Sequence, residues 1–411
     1  MLGKWRWLLS RLTRRLWIRA TAIGLLGVAA AVLAIVADRF IPWDMPTLGA
    51  NAVDTVLGII ASSMLAVTTF SLSVVTAAYS SATSNVTPRA TQLIMEDSVT
   101  QNTLATFVGS FLFSLVGIIV LQTGAYGEQG RTVLFVFTVA VVALIVVMLL
   151  RWIDHLNSLG RVADTTARVE RATRKAMEAR LKDRWLGGVP ATGPAGRPGR
   201  TPLLARDTGY VQHVDMARLQ DLAEDAGARL HLAILPGAFV CTGQPVAFLE
   251  GDLPDPEDAA RAFTIGSGRS FDQDPRFGMI VLSEVASRAL SPAINDSGTA
   301  IDVIGRGTRL LLLWAEGLAK TEPRPPRFAR VVVPDLVAAD LFDDLFTAIA
   351  RDGAGVVQVQ IRLQKALAAL GGASHPEYPG LARDHALSAF ARAERAMDHP
   401  GDIARLRVLL P

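Results

Sequence analysis

The chain has 411 residues, 50% of them hydrophobic and only 19% charged, with a net charge of +3. A soluble globular chain carries about 25% charged residues. Here the deficit lies between Ala20 and Leu150, which excludes a plain cytosolic enzyme and a disordered chain. The single cysteine, Cys241, excludes an intrachain disulfide scaffold and a multi-thiolate metal site, and the small net charge gives no ground for nucleic-acid binding.

Residues 1–19 form a basic leader with Lys4, Arg6, Arg11, Arg14, Arg15 and Arg19 and no acid. Trp5, Leu8, Leu9, Leu12 and Leu16 recur in it at helical spacing. Two readings stand: an amphipathic helix on an anionic leaflet, or a basic flank that sets topology. Four apolar segments follow, at 20–37, 55–79, 103–123 and 132–150, none containing Asp, Glu, Lys, Arg or His. A helix needs roughly 20 mostly apolar residues to cross the hydrocarbon layer, so a four-helix transmembrane domain is expected over 20–154. Arg151, Arg161, Arg168, Arg171, Arg174 and Lys175 follow the fourth segment. The excess of basic residues in these two flanks places both termini in the cytoplasm.

Residues 155–186 are charged and read as a helical stalk continuing the fourth span. Residues 187–208, opening GGVPATGPAGRPGRTP, read as a flexible linker. From residue 209 to 411 strands and helices mix. Strands are expected at 211–213, 229–235, 239–241, 246–249 and 330–333. Helices are expected at 216–226, 256–262, 277–290 and 299–319, with a mostly helical tail from Leu336. The fold class is therefore an α-helical membrane domain of four transmembrane helices plus a cytoplasmic α+β domain.

Three passages carry a family likeness: SNVTPRA after the second span, GYVQHVD with PGAFVCTGQP, and GRSFDQDPRFG running on to SRALSPAINDSGTA. With them the chain resembles the bacterial predicted-membrane-protein family catalogued as domain of unknown function 2254. Ala293 and Ser297 stand where the family pattern has Gly and Pro. The resemblance implies four spans, a cytoplasmic domain and residence in the bacterial inner (plasma) membrane. It implies no established activity.

The second span holds nine Ser and Thr residues between Thr55 and Ser80. At about 100° per residue, Thr55, Ser62, Thr69, Ser73, Thr76 and Ser80 share one narrow sector. Hydroxyls both donate and accept hydrogen bonds, so the stripe is a candidate pore lining on the axis of a homo-oligomer. It also reads as a close-packing surface, with Thr103, Thr106, Ser110, Ser114 and Gly117 of span three as a matching face. Charge-free spans favour a passive conduit over a proton-coupled carrier.

Thr87-Pro88-Arg89 reads as a helix start, with Thr87 at the N-cap and Pro88 at the first position. It would form an elbow that passes motion from the soluble domain to span two. Arg269, Asp272, Gln273 and Asp274, with Asn295 and Asp296 one helix later, are candidate binders of a small anionic ligand. Gly266-Ser267-Gly268 is a candidate backbone nest beside them. The competing reading is helix capping by Asp274 and by Asn295 or Asp296. There is no Walker loop, GxSxG or HExxH, and the six His residues show no ligand spacing. The PGAFVCTGQP turn is similar to the hammerhead of lipoyl-type barrels, but no Lys sits at its tip. No enzyme activity, cofactor, metal or nucleic-acid partner is expected. The reading is a membrane protein that serves either as an oligomeric conduit for an ion or small solute gated by its cytoplasmic domain, or as a non-conducting sensor or scaffold.

Overall fold

The structure, a computed structural model, describes residues 50–123, 128–320 and 325–410, with positions 18, 21, 22, 24, 25, 28 and 29. Almost all of the leader 1–19 and most of the first expected span, 20–37, lie outside the described residues. The chain divides into two compact units, one built of Leu8–Thr83 and Thr91–Asp164, the other including Ser84–Ala90 and Thr165–Pro411.

In the first unit three stretches are long and apolar enough to cross a membrane: Val53–Ser84, Thr91–Gln122 and Gly130–Leu156. They belong to α1 (Ala50–Asn85), to the short α2 (Thr91–Met95) with α3 (Ser98–Gln122), and to α4 (Glu128–Leu156). Each of the three long helices is longer than its charge-free segment. Asp97 supplies the reason at the start of α3, where its carboxylate caps the helix by accepting from the Thr100 amide at 2.8 Å. Ile60, Met64 and Val75 of α1 pack with Leu104 and Phe107 of α3 and with Ile145 and Trp152 of α4. Their spacings of three, four, seven and eleven residues place one apolar stripe on each helix. α4 leaves Val136, Val139, Val146, Val147 and Leu150 exposed on its other faces.

The expected stalk does not continue α4. The chain breaks at 157–161, where Gly160 takes φ +79°, and a Cβ there would lie 3.2 Å from the Ala78 backbone. A new helix, α5 (Val162–Lys182), then starts. Most of α5 belongs to the second unit, whose long continuous part therefore begins at Thr165, not near residue 209. The expected flexible linker is also ordered at both ends. It holds β1 (Gly188–Pro190) and β2 (Thr201–Leu204), because both find sheet edges to pair with.

The second unit continues β3 (Gly209–Val214), α6 (Met216–Asp225), β4 (Arg229–Leu232), β5 (Phe239–Val240), β6 (Pro245–Glu250), α7 (Pro256–Arg261) and β7 (Phe263–Gly266). It ends with α8 (Pro275–Ala289), α9 (Ser297–Lys320), β8 (Phe328–Val333), α10 (Ala338–Asp352), α11 (Val357–Gly371), α12 (Tyr378–Ala396) and α13 (Pro400–Arg407). One sheet has the order β1-β8-β4-β6-β2, parallel from β1 to β4 and antiparallel beyond. The other is the antiparallel trio β5-β3-β7. Leu230, Leu232, Ala247, Leu249, Val331 and Val333 bury the larger sheet's core face together with Leu219 and Ala223 of α6. α8 runs through the helical half with most of its residues buried, and Ser283 donates to the Leu345 carbonyl of α10 at 2.9 Å. Leu341, Phe342, Leu345, Phe346 and Ile349 of α10, all inaccessible, form the facing stripe.

Candidate functional site

Two features of the second unit meet on α8: a pocket at its N-terminal end and an elbow contact at Glu284. The pocket has a volume of about 330 Å³. Its walls come from the end of α5, the loop between β4 and β5, the start of α8 and the first turn of α10.

Arg180 reaches the pocket from the last turn of α5 and is 2% exposed. Its Nη2 donates to the Gln273 carbonyl at 3.2 Å, while its Nη1 has no hydrogen-bond partner among the described residues. Burial lowers its pKa to about 10, against the pull of Asp274 and Asp335. The remaining charges are tied to partners. Asp274, 2% exposed, accepts from Arg269 through Nε at 2.7 Å and Nη2 at 3.0 Å and caps α8 by accepting from the Phe277 amide. Burial nevertheless pushes its carboxyl above the usual carboxylate range. Arg276 is held by both oxygens of Asp344 at 2.7 and 3.1 Å and bonds Asp340 as well. Arg184 takes Asp335 at 2.6 Å. The β4–β5 loop turns through Gly237 at φ +98°, and a Cβ there would lie 2.2 Å from Asp274 Oδ2, so only glycine lets the loop close on that carboxylate.

The candidate ligand residues are divided by this arrangement. Arg269 and Asp274 line the pocket. Gln273 sits behind it, its Oε1 accepting from the Val214 amide, and Asp272 folds onto Ser270. Asn295, at φ +51°, and Asp296, which caps α9 by accepting from the Thr299 amide, lie beyond the far end of α8. Fifteen helical residues, about 22 Å, separate the two groups. The Gly266-Ser267-Gly268 nest does not form. Gly266 ends β7, no residue of the three has positive φ, and the Gly268 carbonyl accepts from Gln212.

Sequence reasoning passed over Arg180, Asp335 and Asp340, and read the Pro236–Ala238 loop as a family passage rather than as part of a site. A signal for Arg180 was present: Val169, Thr173, Ala176, Met177 and Arg180 share the buried face of α5. An arginine on the apolar side of an amphipathic helix asks for a partner. Among the described residues no group of three His, Cys, Asp or Glu is disposed to hold a metal ion.

The elbow belongs to the same unit as the pocket, although it follows directly on α1 in the chain. It is a turn rather than the helix start expected at Thr87-Pro88-Arg89. The Ala90 amide donates to the Thr87 carbonyl at 3.1 Å, and α2 starts only at Thr91. The Thr87 side chain is used across the fold instead. It accepts from the Arg89 amide at 3.3 Å and donates to Glu284 Oε2 of α8 at 2.9 Å. Arg89 completes the contact with an ion pair to the other Glu284 oxygen.

In the first unit Thr55, Ser62, Thr69, Ser73, Thr76 and Ser80 of α1 are all exposed, so the stripe does not pack against α3. The matching face on α3 (Thr103, Thr106, Ser110 and Ser114) is buried. Ser62, Thr69, Ser73 and Thr76 each donate to the carbonyl four residues back. By helical spacing Ile59 and Phe70 flank the stripe on one side, Leu65 and Leu72 on the other, and all four are exposed. The helices also bring charge to the span ends. His155 Nε2 of α4 lies 2.9 Å from Asp97 Oδ2 with both side chains nearly buried, and Thr100 donates to the same oxygen.

Comparison with known proteins agrees with the helices just described. An uncharacterised protein of Mycobacterium tuberculosis is 28% identical over 242 residues, 54% of this chain and 45% of the relative. An uncharacterised protein of Mycobacterium bovis matches to the same extent, so the chain spans about half the length of the curated relatives it matches. No solved structure matches. The family model described as predicted membrane protein, domain of unknown function 2254, matches residues 13–369, and the chain belongs to that family.

Proposed function

We propose that this membrane protein is a homo-oligomeric conduit for an ion or small solute, gated by its α+β unit. The carrying observation is the elbow: Thr87 and Arg89, next in the chain after α1, are fastened to Glu284 of α8, the helix whose N-terminal end walls the pocket. A change at the pocket thus has a short physical route to the end of α1. The exposed hydroxyl stripe with apolar flanks supports the conduit. Flanks of this kind pack copies of α1 against each other and leave the hydroxyls facing a shared axis. The proposal includes four spans, both termini in the cytoplasm, the bacterial inner membrane, and partners limited to the bilayer, further copies of the chain and a small ligand. It assigns no enzyme activity, cofactor or nucleic-acid partner.

Ser62→Cys and Thr69→Cys, each in a Cys241→Ser background because Cys241 is exposed, provide the test. A membrane-impermeant thiol reagent should label both sites, and Glu284→Ala should change the labelling rate. Failure to label either site, with the elbow intact or broken, rejects the conduit. The second reading, a non-conducting sensor or scaffold, is favoured by the self-satisfied hydroxyls of the stripe, which need no water.

A further inference from the structure

The pocket is neutral overall yet strongly charged inside. Arg180, Arg269 and Arg276 line it, and so do Asp274, Asp335 and Asp340. A ligand of net charge would leave that charge uncompensated among three carboxylates or three guanidinium groups. A net-neutral ligand with two separated charges meets both signs. The structure also distinguishes which charges remain available. Arg269 is engaged bidentately by Asp274, and Arg276 by Asp344. Arg180 alone among the three is nearly inaccessible, with a nitrogen, Nη1, that donates to nothing among the described residues. A buried guanidinium N–H left unmade is costly and is met well by a carboxylate.

The first turn of α10 adds a second feature of the same sign. Leu336, Val337 and Asp340 line the pocket, and this 15-residue helix has Val337 at its N-cap with no side-chain hydrogen bond. Its leading amides and its dipole favour a negative group. On the acidic side, Asp335 and Asp340 have side chains 43% and 40% exposed and keep acceptor capacity toward the opening. The volume of about 330 Å³ lies at the lower end of the roughly 300–1,000 Å³ of small-molecule sites.

We infer that the pocket binds a small zwitterion of the amino-acid type, its carboxylate taken by Arg180 and the α10 N-terminus and its ammonium by Asp340 and Asp335. This replaces the small anionic ligand expected from sequence with a net-neutral one and supplies a stimulus for the gating unit. It rests on that reading for its purpose, whereas the site itself rests on the pocket alone.

The test is isothermal titration of the full-length protein in nanodiscs with glycine, L-alanine and L-glutamine, beside acetate, methylammonium and inorganic phosphate. At least one of the three amino acids should bind tenfold or more tightly than acetate, methylammonium or phosphate. Arg180→Met should abolish that binding and Arg180→Lys should restore part of it. Arg180 is buried, so Asp340→Asn, at a half-exposed position, serves as the second variant. It should weaken the amino acid about tenfold and leave acetate unchanged. Binding of none of the six probes, or equal binding of acetate or phosphate and the amino acids, overturns the inference. So does an Asp340→Asn variant that affects acetate and the amino acid alike. Thiol labelling of span two decides the conduit separately: binding without labelling rejects only the conduit, and labelling without binding rejects only the ligand.

Discussion

Removing the Glu284 carboxylate should release the elbow, and the size of the effect can be worked from the contact. Thr87 is 4% exposed and its hydroxyl donates to Glu284. In Glu284→Ala that hydroxyl keeps the Arg89 amide as donor but loses its acceptor, which costs about 1–3 kcal/mol for a buried group. The Arg89 side chain is 58% exposed, so water screens the ion pair and limits its contribution to about 1 kcal/mol or less. The elbow should therefore open more readily by about 2 kcal/mol, a factor of about 30 in its opening equilibrium. Hydrogen exchange on the full-length protein reads this at the Ala90 amide, which donates to the Thr87 carbonyl within the turn. Protection there should fall about 30-fold, while α11 and α12, which do not pack on α8, keep theirs. Thr87→Val combined with Glu284→Ala should be non-additive by more than about 0.5 kcal/mol. Additive effects, or unchanged protection over residues 84–90, would show that the contact does not hold the elbow.

Three further outcomes follow from the same geometry. Gly237→Ala should destabilise the α+β unit by about 1–3 kcal/mol, because the residue sits at φ +98° and its new Cβ would meet Asp274; thermal unfolding in detergent reads the loss, and an unchanged midpoint refutes it. Asp274→Ala strips the partner from Arg269 and the cap from α8, and should cost about 3 kcal/mol or more; the same assay checks it, and Arg269→Met in the same chain should recover part of the loss. Acidification from pH 7 to 5 should lower the midpoint. Burial holds His231, His375 and His385 below the ordinary His value, so the unfolded chain takes up protons first as the pH falls through about 6.5. Their contribution is intact above that pH and is lost toward the lower folded values. Asp274, displaced upward, acts with the opposite sign, so the His contribution is read as the difference between the wild type and a His variant, in which the Asp274 contribution cancels. His385→Gln should flatten the slope, and an equal slope in the variant counts against the assignment.

Where burial follows a simple period, the sequence was legible. The apolar runs of α1, α3 and α4 marked three helices able to cross a membrane, and alternation marked β3, β4 and β6 within a few residues. Of the strands missing from the sequence reading, β1, β2 and β7, the first two share a physical cause. β1 and β2 are three and four residues long in a Gly/Pro-rich stretch, and both are edge strands whose pairing is decided by β8 and β6 far along the chain. The break at Gly160 is set by how close Ala78 comes, a tertiary fact that helical periodicity cannot carry. The site divides in the same way. Arg269 and Asp274 announced themselves through the density of charge between residues 269 and 276. Arg180 and Asp335 join them from 89 positions before and 61 positions after Arg269 and Asp274 respectively, a distance over which one sequence holds no register. Thr87-Pro88-Arg89 carried the right residues with the wrong geometry, because a Thr that caps a helix and a Thr that spans to Glu284 read identically until the partner is known.

The route from pocket to elbow rests on α8 behaving as one body. From Asp274 at its cap to Glu284 is ten residues, about 15 Å of helix, and the buried side chains between them leave little room for bending. A ligand moves an equilibrium only by the difference in its affinity for the two states. An elbow contact of about 2 kcal/mol thus caps the coupling at about 30-fold. The coupling is also reciprocal. If an amino acid in the pocket lowers protection at the Ala90 amide by some factor, then breaking the elbow with Glu284→Ala must tighten the binding of that same amino acid by a factor of up to the same size. If the amino acid raises protection, the variant must weaken its binding to a like extent. Titration of the variant and exchange of the liganded wild type yield the two numbers independently. Agreement in direction shows that the pocket and the elbow are coupled. Binding that leaves both the protection and the variant's affinity unmoved would mean that α8 is a rigid spacer with a single position, and that the pocket serves some purpose other than gating.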